Sequence, residues 1–191
     1  MAFGAPSLLY YGDVNMFTVE NYKSSDVYQA VLARTSINPY TNSVFLGLKQ
    51  LSPKPKGKYF EELYDAYALM LGEHNSSPGS SERDRRNTRL GKVEVKGSFG
   101  WVTNGRITHF RWQQIRPHQD YDHVVFIAAY PDVMEFYVAD KETVVREVCY
   151  QDVNGDWPHN QHGGKTVNSG TFFIDGFPQD FPWMKKYDSQ S

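Results

Sequence analysis

One short segment limits the fold more than any other. Residues 123–130 read HVVFIAAY, an apolar run with almost no polar interruption. Such a run is expected of a strand buried on both faces, and a strand of that kind needs a packed layer on each side. Upstream, residues 92–99 read KVEVKGSF and alternate with period two, as a half-buried strand does. Downstream, residues 133–139, VMEFYVA, read as a further strand and residues 141–148 as a helix, with Pro131-Asp132 as the turn before them. These elements predict an α/β chain with a mixed central β-sheet flanked by helices.

The remaining segments are assigned in the same way. Residues 26–34, DVYQAVLAR, predict an amphipathic helix with Asp26 as its N-cap. The tract SPKPKGK is expected to stop any helix with its two prolines and glycine. A helix over 59–71 places Phe60, Leu63, Tyr64, Tyr67 and Leu71 on its buried face and Glu61, Glu62 and Asp65 on the other. HNSSPGSS at 74–81 is a flexible connection, and residues 83–88 are a short strand turning into the next at Leu90-Gly91. Residues 107–116, ITHFRWQQIR, fit a strand or a short crossover helix equally. The tail from Gly155, rich in Pro, Gly and aromatics, is expected to be irregular, with Phe172, Phe173, Phe177, Phe181 and Trp183 in the core or at a subunit interface.

At 191 residues the chain is read as a single domain over 1–191 that can bury a real core. Its one cysteine, Cys149, excludes an internal disulfide framework and a multi-cysteine zinc site. There is no apolar run of membrane-spanning length and no basic leader in MAFGAPSLLYYGD, so a soluble, cytoplasmic protein without membrane partners is expected. A net charge of −2 argues against binding nucleic acid by bulk electrostatics alone. The charge is uneven, however: residues 82–116 hold nine Lys/Arg against three acids. That stripe is either a solvated surface or a face turned to a polyanion.

On a strand, Glu94 and Lys96 share one face while Val93 and Val95 point into the core. Asp84 lies across a short turn, where a hairpin can bring its carboxylate to Glu94. Two adjacent hard oxygen donors suit Mg²⁺, which accepts one or two carboxylates and keeps several waters. A lysine beside them can neutralise charge and orient a water, which together could hydrolyse a phosphodiester. The bland alternative is an exposed Glu/Lys pair on a strand. The arginines Arg83, Arg85, Arg86 and Arg89 suit phosphate oxygens, or stand exposed without a ligand. His159 and His162 lie within a four-residue stretch of loop, without the helix that an HNH nuclease needs. No P-loop, GxGxxG or GxSxG occurs.

Asp84, spaced from Glu94-Val95-Lys96, resembles the PD-(D/E)xK nuclease motif. The context is similar to the branch holding type II restriction endonucleases and MutH-like mismatch-repair nicking enzymes, where a glycine-led helix contributes a further acid. Lys56-Gly57-Lys58-Tyr59-Phe60-Glu61 is similar to that helix start, which makes Glu61 the matching residue and Glu62 its rival. The segments EVKGSFGWV, FRWQQIRPHQDYDHVVFIA and PDVMEFYVADKE are similar to small catalytic subunits of heterodimeric type IIS restriction enzymes. In those enzymes a larger subunit recognises the site and nicks one strand, and the small one cuts the other. The resemblance spans about 57–148, taken as the catalytic core. No proline precedes Asp84, and Glu82 is a second candidate for the upstream acid.

The resemblance implies a restriction-endonuclease-like core and a Mg²⁺-dependent DNA endonuclease, with Mn²⁺ able to substitute. Asp84 and Glu94 would ligate the metal, Lys96 would position or activate water, and Glu61 would add an acid. Gln113, Gln114 and Arg116 would lie near the centre and touch the DNA backbone, unless they serve a strand edge. The expected partners are double-stranded DNA and a larger subunit in a heterodimer. A structure- or mismatch-selective repair nuclease and a non-catalytic assembly subunit are the competing expectations.

Overall fold

The computed structural model describes residues 19–36, 38–77, 84–149 and 171–188. The chain divides into two compact units, Met1–Ile37 and Asn38–Ser191. The first contains helices α1 (Val19–Lys23) and α2 (Asp26–Ser36). The Tyr28 N–H donates to Ser25 Oγ at 3.1 Å, so Ser25 rather than Asp26 caps α2. Asp26 is instead the first helical residue, where its charge complements the positive helix end.

The second unit begins with α3 (Leu46–Gln50) and α4 (Pro53–Met70). The prolines and glycine of SPKPKGK do not stop α4 but open it. Ser52 is the extended residue before the helix and Pro53 its first position. Amide hydrogens in a first helical turn have no intrahelical acceptor, so Pro53 and Pro55 forfeit nothing there. Phe60, Tyr64 and Ala68 are buried, with Leu63, Tyr67 and Leu71 packed around the same core.

The strands follow: β1 (Asn75–Ser76), β2 (Arg85–Asn87), β3 (Gly91–Phe99), β4 (Trp101–Thr103), β5 (Arg106–Ile115), β6 (His123–Ala129) and β7 (Met134–Asp140). Helix α5 (Lys141–Val148), strand β8 (Phe172–Gly176), a 3₁₀ turn (Pro178–Asp180) and β9 (Lys185–Lys186) complete the described chain. Six strands form a mixed sheet in the order β1-β2-β3-β6-β7-β9, and β4-β5-β8 form a second sheet. Strands β2 and β3 are an antiparallel hairpin, β3 and β6 run parallel, and β6 and β7 are antiparallel. Residues 107–115 are thus strand, with Arg116 just beyond it, and the described part of the tail carries two strands where irregular chain was expected.

Each face of the large sheet has its own core. Val93, Val95, Phe99, Val125 and Ile127 pack under α4. Val124, Phe126 and Ala128 pack with Phe110, Trp112, Phe172 and α5 on the opposite side. Strand β6 is therefore enclosed from both sides, as its unbroken apolar sequence requires. Helix α5 starts at Asp140, whose Oδ1 accepts from the Thr143 N–H at 2.8 Å. Phe172, Phe177, Phe181 and Trp183 belong to the second core. Among the described residues no helix is long and apolar enough to cross a membrane.

Candidate active site at the β2–β3 hairpin

Strand β3 alternates its side chains between the two layers. Its odd-numbered residues meet α4 so closely that a Cβ on Gly97 would lie 2.1 Å from the Phe60 ring. Its even-numbered residues, Glu94, Lys96 and Ser98, face the other layer, beside Val124 and Phe126 of β6. The Glu94–Lys96 pair is not an exposed surface pair. Glu94 is 5% exposed, and Lys96 Nζ donates to its Oε1 at 2.6 Å. Burial raises the Glu94 carboxyl above the usual glutamate range; Lys96 opposes that shift, Asp84 adds to it, and Arg116 opposes it more weakly.

Asp84 stands at the mouth of the hairpin, where regular β2 pairing has ended. Its N–H donates to the Val93 carbonyl at 3.0 Å, and its Oδ2 accepts from the Val95 N–H at 2.8 Å. A side chain thus takes the place of a missing ladder partner. The turn depends on Gly91, whose φ of +73° suits glycine.

Glu61 lies on α4, on the opposite side of β3 from Glu94, and the two do not meet. Its Oε2 accepts from Arg85 Nη1 at 2.7 Å. Burial raises the Glu61 carboxyl, and the charge of Asp84 raises it further. Asp84 therefore sits within electrostatic reach of both glutamates, with β3 between them. Glu62 points to solvent and pairs with Lys58 at 3.7 Å.

The arginines divide. Arg85 is 14% exposed at its side chain and is held by Glu61, by both oxygens of Asp65 at 2.7 and 2.9 Å, and by the Asp84 carbonyl at 2.7 Å. It fastens the hairpin to α4 and carries Asp84 with it. Arg89 pairs with Glu73 at 2.7 Å and lies over the Tyr187 ring. Arg86 is exposed. Glu82, Arg83, His159 and His162 fall outside the described residues.

A cleft of about 590 Å³ opens beside Lys96, between α4, β3 and β5. Gln113 and Gln114 line it on consecutive positions, although neighbours on a regular strand point to opposite faces. The cause is a bulge: the β5–β8 register shifts between Trp112 and Ile115, and Gln114 has φ +60°. Lys49 and Lys56 also line the cleft. Lys56 is marked in the sequence only by the local density of lysine in KPKGK, within a tract expected to break a helix, and Lys49, before that tract, carries no local signal.

The donor set can be tested against Mg²⁺. Lys96 occupies Glu94 Oε1 and Val95 occupies Asp84 Oδ2, while Glu94 Oε2 and Asp84 Oδ1 accept no hydrogen bond among the described residues. Two hard oxygens on neighbouring acids fit a cation that retains most of its water. Among the described residues no three His, Cys, Asp or Glu side chains gather to hold a metal together, so Glu61 adds no third ligand in this arrangement. No protein-family model matches the chain, and no curated protein matches it.

Proposed function

We propose that the chain is the catalytic subunit of a Mg²⁺-dependent DNA endonuclease, with a restriction-endonuclease-like core, that cuts one strand of a duplex. One observation carries the reading. A buried carboxylate and a partly buried ammonium stand two residues apart on β3, and Asp84 is hydrogen-bonded to the single residue between them. Burying this Glu–Lys pair is costly, and a pair serving only solubility would stay at the surface.

In this reading Asp84 and Glu94 would hold Mg²⁺. The ion, when bound, polarises the phosphoryl oxygens and makes water a better nucleophile. Lys96, fixed by Glu94, keeps its remaining hydrogens for the attacking water and the phosphate. Arg116 adds positive charge near the phosphate. Water releases a proton to solvent as its oxygen forms a new bond to phosphorus and the bond to the 3′-oxygen breaks. That oxygen leaves with its electron pair and takes a proton from solvent, giving a 5′-phosphate and a 3′-hydroxyl.

One such centre cuts one strand. The partner proposed for the other is a larger, site-recognising subunit, as in the type IIS heterodimers that three segments of this sequence resemble. The overall charge of −2 suits a chain that borrows affinity from a partner.

The test is nicking of supercoiled plasmid by the full chain in Mg²⁺ or Mn²⁺, alongside calorimetric Mn²⁺ titration. Metal-dependent nicking by the wild type and its loss in Lys96→Ala are expected. One Mn²⁺ site should be present in the wild type and lost in Asp84→Asn. Equal nicking by wild type and Lys96→Ala, or Mn²⁺ binding indifferent to Asp84, would sink the reading.

A further inference from the structure

The cleft beside Lys96 is lined by four cationic side chains, Lys49, Lys56, Lys96 and Arg111, and by no carboxylate. Two of the four are already neutralised, Lys96 by Glu94 and Arg111 by Asp175 through contacts of 2.6 and 2.5 Å. Lys49 and Lys56 have no acid partner among the described residues. Lys49 is nevertheless held in place: its Nζ donates to the Gly100 carbonyl at 3.2 Å and lies 4.1 Å from the centre of the Tyr40 ring. Lys56 lies over Phe99 at 5.8 Å. Burial lowers the pKa of both ammonium groups, and the charge of Lys56 lowers that of Lys49 further. Two like charges directed into one recess disfavour each other until an anion enters.

Backbone amides supply little here. Two of the first three positions of α4 are proline, and the Lys56 N–H is bonded to the Ser52 carbonyl. An anion in the cleft is therefore met by side chains: the two ammonium groups and the amides of Gln113 and Gln114. A phosphate diester suits such donors, since its charge is spread over oxygens that accept from several directions.

We propose that this cleft seats a backbone phosphate of duplex DNA, held by Lys49 and Lys56 next to the phosphodiester that faces Lys96. The choice of DNA as the polyanion rests on the nuclease reading; the anion site itself does not. The two lysines position the strand and read no sequence.

Binding is measured with the full chain, a fluorescein-labelled duplex of random sequence and no divalent metal, over a range of KCl concentrations. The double variant Lys49→Gln/Lys56→Gln should lower the slope of log affinity against log salt by about 0.9, the value for one lost phosphate contact. Glutamine keeps a donor for Gly100, and an unchanged urea midpoint verifies the fold; Lys56→Gln alone, which gives up no hydrogen bond within the protein, should lower the slope by a smaller amount. Lys58→Gln, on the same helix but outside the cleft, should leave the slope unchanged.

An unaltered slope in the double variant, an equal drop in Lys58→Gln, no duplex binding by the wild type, or tighter binding of duplex RNA than of DNA would each overturn the proposal. The two readings fail separately. Plasmid nicking that depends on Lys96 together with an unaltered slope removes the cleft and keeps the hydrolytic centre. A lowered slope with no nicking does the reverse.

Discussion

Asp84 Oδ2 accepts the Val95 N–H at 2.8 Å, so the carboxylate is attached to the backbone midway between Glu94 and Lys96. The bond fixes one oxygen and leaves the other for a ligand. It also separates the structural role of this side chain from its chemical one. Asp84→Asn keeps an acceptor for Val95 and removes the charge, whereas Asp84→Ala removes both. Urea unfolding should show Asp84→Ala destabilised by about 1–2 kcal/mol and Asp84→Asn much less. Both should lose Mn²⁺ binding.

The Glu94 carboxyl is raised, first by burial and then by Asp84, against the opposing charge of Lys96. A raised carboxyl binds its proton at higher pH in the folded than in the unfolded chain. Its contribution to stability is therefore complete below the unfolded value and is lost as pH rises through the folded one. Removing Asp84's charge should bring the Glu94 titration down, and Lys96→Met should push it up. Carboxyl ¹³C NMR of the metal-free chain reads both directions.

Arg85 binds Glu61 and Asp65 rather than standing free for phosphate. Arg85→Met should cost about 2 kcal/mol in urea unfolding, since two half-buried acids lose their partner. Arg86→Gln, at an exposed position, should leave stability unchanged. Of these two arginine variants, only Arg86→Gln can lower the slope in the salt-dependent DNA assay without loosening the fold.

Gly97 admits Phe60 against the strand. A methyl group there would overlap the ring, and Gly97→Ala should destabilise by about 1–3 kcal/mol. Pairing it with Phe60→Leu should recover part of the loss, which distinguishes crowding from altered strand propensity. Thermal unfolding of the two single variants and the double variant measures the coupling.

Local pattern alone was enough for much of this protein. The unbroken apolar run of β6 and the period-two run of β3 announce their strands, because burial on two faces or on one writes itself directly into residue order. The spacing of Phe60, Tyr64 and Tyr67 likewise marks the inner face of α4. Glu94 and Lys96 share a side of β3 for the same short-range reason. Other features depend on residues far apart in the chain. Only packing buries Glu94 against a partly buried Lys96, assigns Arg85 to the acids of α4, and leaves Glu61 across the strand from Glu94. The bulge at Gln114 and the recess that gathers Lys49, Lys56 and Lys96 arise where elements separated by tens of residues meet, and no local period encodes such a meeting.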